Sequence, residues 1–172
     1  MDSVDVVKSA FGGAHMWYQG TTADVTEEQA NAVPPGVSHP IGALIAHVLH
    51  CEDVMINQVI LGKPSIWERD GWKDRAGGEM MLDPDTATSR AYKVNLPQMT
   101  AYGQAVLAHT ESFLAGLSAG DLDRELDLVP LGFESNMTMG AFLTQMLLGN
   151  TYAHTGEISC LKGSLGSKGY PF

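Results

Sequence analysis

Apolar side chains at Val4, Val7, Phe11, Ala14 and Tyr18 recur at intervals of three and four, which predicts an amphipathic helix from about Ser3 to Gln19. Thr26-Glu27-Glu28-Gln29-Ala30 reads as one capped turn, and Pro34-Pro35-Gly36 breaks the chain after it. A second helix is expected to start near Ser38, with Pro40 tolerated in its first turn. It runs through Ile41, Leu44, Ile45, Val48, Met55 and Val59 and stops at Gly62. From Lys63 to Asp83 the helical period disappears; a connection of this length is unusual, and Trp67 and Trp72 are expected to anchor it on the core. Asp83-Pro84 then opens a third helix, with the aspartate as cap and the proline in first position. Leu96, Met99, Val106, Phe113 and Leu117 carry it to the stretch between Gly116 and Gly120, and Pro97 kinks it or divides it in two. After a connection from Ser118 to Phe133, a fourth helix spans about Thr138 to Lys162. Gly163 and Gly166 end it, and Ser164 to Phe172 form an irregular tail.

Four long helices with one long crossover predict an all-α protein, a four-helix bundle. The crossover lies between helices two and three, so these two are expected to run parallel, giving up-down-down-up order. At 172 residues the chain is expected to form one domain, residues 1–172.

Composition narrows the function classes. A hydrophobic fraction of 44% with 17% charged residues belongs to a globular chain. Ten basic against twenty acidic residues give a formal charge of −10, with no basic stripe. That balance argues against nucleic acid and against anionic lipid as partners. No apolar run approaches the ~18 residues of a membrane span, and the start Met1-Asp2-Ser3-Val4-Asp5 lacks the features of a signal peptide. Only Cys51 and Cys160 are present, both in helical contexts, so no disulfide framework is implied and a cytoplasmic setting is expected.

Candidate chemistry concentrates on two helices. On the fourth, Asn150, His154 and Glu157 fall within a narrow arc together with Met146 and Leu161, an arc expected to face the core. Buried polar groups need satisfaction there, which a metal ion or mutual hydrogen bonding between His154 and Glu157 would supply. On the second helix His47, His50, Cys51 and Val54 share a face. Two histidines one turn apart, opposite a His/Glu-bearing helix, form a candidate metal site, with Glu157 either a ligand or the partner that orients a histidine. The remaining candidates have plainer readings. His15 is expected partly exposed near a helix end, His109 at a core edge or on the surface, His39 exposed, and Cys51 a small inert hydrophobe. A ferritin-like di-metal centre is disfavoured: His154-x-x-Glu157 reverses the usual motif, and on helices one and three the only candidate glutamate is Glu111, expected to be exposed. No phosphate-cradling glycine loop or serine nucleophile elbow appears.

Pro40-Ile41-Gly42-Ala43-Leu44-Ile45-Ala46-His47-Val48 resembles the second-helix signature of the DinB/YfiT-like superfamily. Asn150-x-x-x-His154-Thr155-Gly156-Glu157-Ile158 resembles its fourth-helix motif, and Leu161-Lys162-Gly163 with the closing Tyr170-Pro171 is similar to its C-terminal ending. The resemblance implies an up-down-down-up bundle, often a homodimer, with a divalent metal (zinc, nickel, iron or manganese) held by one histidine of helix two and two ligands of helix four. His47 and His154 match two of those positions. The third falls on Asn150, where the family usually has histidine or glutamate, and a neutral amide oxygen is a poorer ligand than either. Asn150 then ligates through its oxygen or a water, or His50 or Glu157 completes a shifted site, or the metal has been lost.

Two function classes follow. In the first, the protein is a metal-dependent S-transferase or isomerase that uses a low-molecular-weight thiol against a small electrophilic substrate. Glu157 fixes a histidine or acts as the base. In the second, it is a non-catalytic dimeric bundle that binds a small ligand or partner.

Overall fold

The computed structural model describes residues 2–83 and 85–172. It is mostly helical, 66% helix and 2% strand, an all-α protein as the periodicity predicts. Helix α1 (Ser3–Thr22) starts at a capping box in which Asp2 accepts from the Asp5 amide and Asp5 accepts from the Asp2 amide. Its buried stripe is Val4, Val7, Phe11, Ala14, His15, Tyr18 and Thr21, so the helix continues three residues past Gln19. The expected turn is α2 (Glu27–Asn31), capped reciprocally by Thr26 and Gln29.

Helix α3 (Ile41–Val54) starts later than expected. Pro40 is its cap residue, and Ser38 lies outside it. The helix continues as a π-helical segment, Met55–Ile60, and ends where Gly62 takes φ of +63°, a left-handed conformation that glycine adopts without a Cβ clash. The crossover holds two short helices, α4 (Ile66–Arg69) and α5 (Lys73–Ala76), in a stretch without an apolar period. Asp53, buried at the end of α3, organises it. Its carboxylate accepts from the amides of Ile66 and Trp67, from the Asn57 side chain at 2.8 Å and from the Tyr102 hydroxyl at 2.7 Å. Trp67 and Trp72 are buried against Tyr102, which confirms them as the anchors.

The expected third helix is two helices. Asp85, not Asp83, caps α6 (Thr86–Ala91), and Pro84 lies outside the described residues. Helix α7 (Leu96–Ala115) then begins afresh with Asn95 as cap and Pro97 in its first turn, where a missing amide costs nothing. The connection that follows contains α8 (Ala119–Leu122) and a two-residue antiparallel pair, β1 (Glu125–Leu126) with β2 (Met137–Thr138). Thr138 caps the last helical run, which passes through α9 (Met139–Ala141), a π-helical segment at Phe142–Leu148, and α10 (Gly149–Ser164).

Among the long helices, α1 packs against α7 and α10, and α3 packs against the same two. One apolar cluster joins α3, α7 and the crossover around Leu49, Trp67 and Tyr102. A second joins the start of α1 to the π segments and the β-pair around Phe11, Ile56 and Phe142. Gly42 sits where α2 crosses α3: a Cβ there would lie 2.8 Å from the Ala30 carbonyl and 2.6 Å from the Val94 side chain.

The expected core face of the fourth helix is displaced. Leu147, Thr151, Thr155, Ile158 and Lys162 are buried, whereas Asn150 and His154 are half-buried at the edge and Glu157 is exposed. The π segment explains the error: it closes i→i+5 rather than i→i+4 bonds, so each turn holds an extra residue and the apolar face rotates relative to a uniform helix.

Candidate metal centre at the edge of α3 and α10

His47 on α3 and His154 on α10 face one another with ring centroids 4.6 Å apart at 84°. The local surroundings fix the tautomer of each ring. The Nδ1–H of His47 donates to the carbonyl of Met81 at 2.8 Å, since a carbonyl can only accept. Its Nε2 therefore carries a lone pair when the ring is neutral, and burial, the largest influence, keeps the His47 pKa below the ordinary histidine value. The Nδ1–H of His154 donates to the carboxylate of Glu157, at 2.5 Å, which leaves the Nε2 of His154 as its free edge. An imidazole oriented through one nitrogen by a carbonyl or carboxylate, with the other nitrogen bare, is the usual arrangement of a metal-ligating histidine.

Asn150 supplies a third acceptor. Its Oδ1 lies 3.1 Å from the Nε2 of His47. With the His47 proton on Nδ1, these two atoms present lone pairs to each other, an arrangement relieved by a cation between them or by rotation of the amide, which places Nδ2–H on Nε2.

The two histidines line a cavity of about 240 Å³ whose other walls include His39, Leu44 and Asp83. His39 is half-buried rather than exposed; its Nδ1 lies 2.5 Å from the hydroxyl of Ser89, a residue of α6. Asp83, which the sequence reading assigned to a helix cap, is an exposed carboxylate at the end of the crossover. His39, Asp83 and the Met81 carbonyl are the site residues that sequence reasoning missed. Their only signal was position, since all three come from segments that flank α3 without any metal-ligand spacing.

His50 is placed elsewhere. Its side chain is fully buried, its Nδ1 accepts from the Met81 amide at 2.9 Å, and its ring packs on Trp67 and Tyr102. Met81 thus accepts from one histidine through its carbonyl and donates to the other through its amide. Burial pushes the His50 pKa down to about 3, so the ring is neutral. The thiol of Cys51 lies 3.6 Å from Nδ1 and 3.7 Å from Nε2 of His47, and burial raises its pKa to about 12, which keeps it a thiol. Glu157 orients His154 and stands away from His47. Among the described residues, no three His, Cys, Asp or Glu side chains meet within range of one metal ion. A cation here would rest on His47, His154 and the amide oxygen of Asn150.

His15 and His109 stand apart from this centre. His15 is buried, contrary to expectation, with its Nε2 3.1 Å from the Glu52 carboxylate, while His109 is half-buried on α7. Both cysteines are free, and among the described residues no helix is long and apolar enough to cross a membrane.

The fold has a structural counterpart. A crystal structure of a conserved protein from Enterococcus faecalis superposes with a TM-score of 0.79, covering 97% of this chain and 99% of that one at 17% identity, which shows a shared fold. No curated protein matches the chain. Residues 13–158 match the DinB superfamily, a span that contains both His47 and His154, and the chain belongs to that family.

Proposed function

We propose that the protein is a metal-dependent enzyme of the DinB type, acting on a small electrophile with a low-molecular-weight thiol. The observation that carries this reading is the pair of oriented imidazoles, His47 held by the Met81 carbonyl and His154 by Glu157. The donor set of two imidazoles and one amide oxygen fits a divalent ion such as zinc, nickel, iron or manganese, though less tightly than three imidazoles would. When bound, the ion would supply a Lewis acid that lowers the pKa of a coordinated thiol.

The chain's own residues have defined parts in this scheme. His47 and His154 would hold the ion. Asn150 would add its oxygen, directly or through a water. Glu157 fixes the tautomer of His154, and its exposed carboxylate has access to solvent. Asp83 adds negative charge at the cavity wall, which favours a cation there.

The bundle topology belongs to the same proposal. Along α3 and α7, Leu49 meets Gly103 and Glu52 meets Thr110, so these two contacts advance together on the two helices, while the long Tyr102 side chain reaches forward to Asp53. Along α3 and α10 they run oppositely, from His47 with Asn150 back to Leu44 with Glu157 and Leu161. These contacts support parallel α3 and α7 in an up-down-down-up four-helix bundle. A homodimer, as the family resemblance implies, and a cytoplasmic setting, in keeping with two free cysteines, complete the reading.

One observation favours a second reading. If the Asn150 amide is rotated, Nδ2–H satisfies His47 without any ion, and the site becomes a hydrogen-bonded network in a binding protein that does no chemistry. The test is the pH dependence of alkylation of a small thiol such as cysteamine, with metal-loaded and chelator-stripped protein. The enzyme reading predicts faster alkylation at lower pH with loaded protein only. Identical profiles favour the network.

A further inference from the structure

A larger cavity lies beside the histidine site and is not used by it. Its volume is about 520 Å³, in the range of small-molecule sites, and it is walled by Val54, Met55, Val59, Leu82, Phe133 and Phe142. Three observations tie it to the site. Asp83 lines both cavities. Cys51 lines the larger one while its sulfur touches the ring of His47. Both π-helical segments reach it, through Met55 and Val59 on one side and Phe142 on the other. Such segments recur at functional sites, because the extra residue per turn moves a side chain off the regular packing ridge.

The mouth is apolar as well. Leu82 and Leu131, both lining residues, are 39% and 55% exposed, and Val129 in the same 3-10 turn as Leu131 is 53% exposed. Exposed aliphatic side chains gathered at the rim of an apolar cavity mark a ligand site more often than isolated ones do. The charges restrict the ligand's tail: the larger cavity has no lysine, arginine or histidine in its lining, and Asp83 stands at its junction with the histidine site. A carboxylate or phosphate carried into the larger cavity would find no cation in its lining and Asp83 at its edge.

The geometry points to this cavity as the seat of the uncharged, apolar portion of the substrate, whose reactive end reaches the His47–His154 centre past Asp83 and Cys51. This inference rests on the metal-centre reading for the role of the reactive end, while the apolar seat stands on its own walls.

A series of n-alkyl hydroxamic acids, from butyl to decyl, separates the two. The head group binds a metal and the tail is uncharged. Calorimetric titration of zinc-loaded wild type is expected to show affinity rising by up to about fourfold per methylene until the cavity is full. Val59→Trp fills the cavity and Leu131→Asp charges its rim; each should flatten the dependence on chain length while leaving zinc content unchanged. The rim position is exposed, so that variant keeps the test valid if Val59→Trp unfolds. Thr100→Trp, in the separate groove between α1 and α7, should change nothing. An equal chain-length dependence in Leu131→Asp, or its loss in Thr100→Trp, overturns the inference. If zinc does not bind but the dependence persists in wild type, the metal reading fails and the apolar seat stands.

Discussion

The Nε2 of His47 lies 3.1 Å from the Oδ1 of Asn150, lone pair toward lone pair once the Met81 carbonyl has drawn the imidazole proton to Nδ1. That contact joins α3 to α10, and under the proposed metal reading Asn150 sets how strongly the site would hold an ion. Asn150→His should tighten zinc by a factor on the order of ten, since imidazole is the better donor, and Asn150→Leu should weaken it by a similar factor. Competition against a chromophoric chelator reads both changes.

Glu157 acts through His154, so its removal should affect the metal more than the fold. The carboxylate side chain is 53% exposed, and Glu157→Gln should leave the melting temperature within a degree or two while zinc affinity falls roughly 10–100-fold. An unchanged affinity would remove Glu157 from the site.

Asp53 closes the crossover onto α3. Asp53→Ala leaves two amides, the Asn57 side chain and the Tyr102 hydroxyl without their acceptor in the interior. The cost should be about 3 kcal/mol or more in urea unfolding, with Asp53→Asn losing less because one acceptor oxygen remains.

His15 makes stability depend on pH. Burial by itself lowers its pKa, but the hydrogen bond and the charge of Glu52 outweigh burial, and the net shift is upward. The folded state therefore binds the proton more tightly than the unfolded chain does. That contribution is complete below the unfolded value of about 6.5 and is lost as pH rises through the higher folded value. Melting curves of wild type between pH 6 and pH 9 should show this alkaline loss. His15→Gln, which keeps a donor for Glu52 but does not titrate, should flatten it.

Gly42 tests the packing of α2 on α3. A Cβ at this position meets the Ala30 carbonyl, which is backbone and cannot swing away as a side chain can. Gly42→Ala should cost ~1–3 kcal/mol despite the higher helix propensity of alanine.

Much of this was legible in the sequence because it depends on local rules. The three-and-four spacing located α1 and the body of α3, and proline marked the break before α7. The pairing of His154 with Glu157 followed from helical geometry, as they lie three apart on one face. What failed depended on departures from a uniform helix or on distant contacts. The π turn at Phe142–Leu148 rotated the predicted core face, which put Glu157 in solvent and Lys162 in the interior. His50 looked like a ligand because it lies one turn from His47, yet its ring turns to the crossover, where the Met81 amide meets it. Asp83 and His39 carry no motif; only the path of the chain brings them to the cavity. The role of Asp53 was equally hidden, since its partners stand far along the chain.

The central claim is that His47 and His154 hold a divalent ion, and metal content measures it most directly. Protein purified without a histidine tag should carry, or take up on addition of zinc, close to one ion per chain, and His47→Ala and His154→Ala should each abolish it with the helical content intact. Wild type that stays free of metal after incubation with zinc, nickel, iron and manganese would contradict the account and leave the site a hydrogen-bonded network.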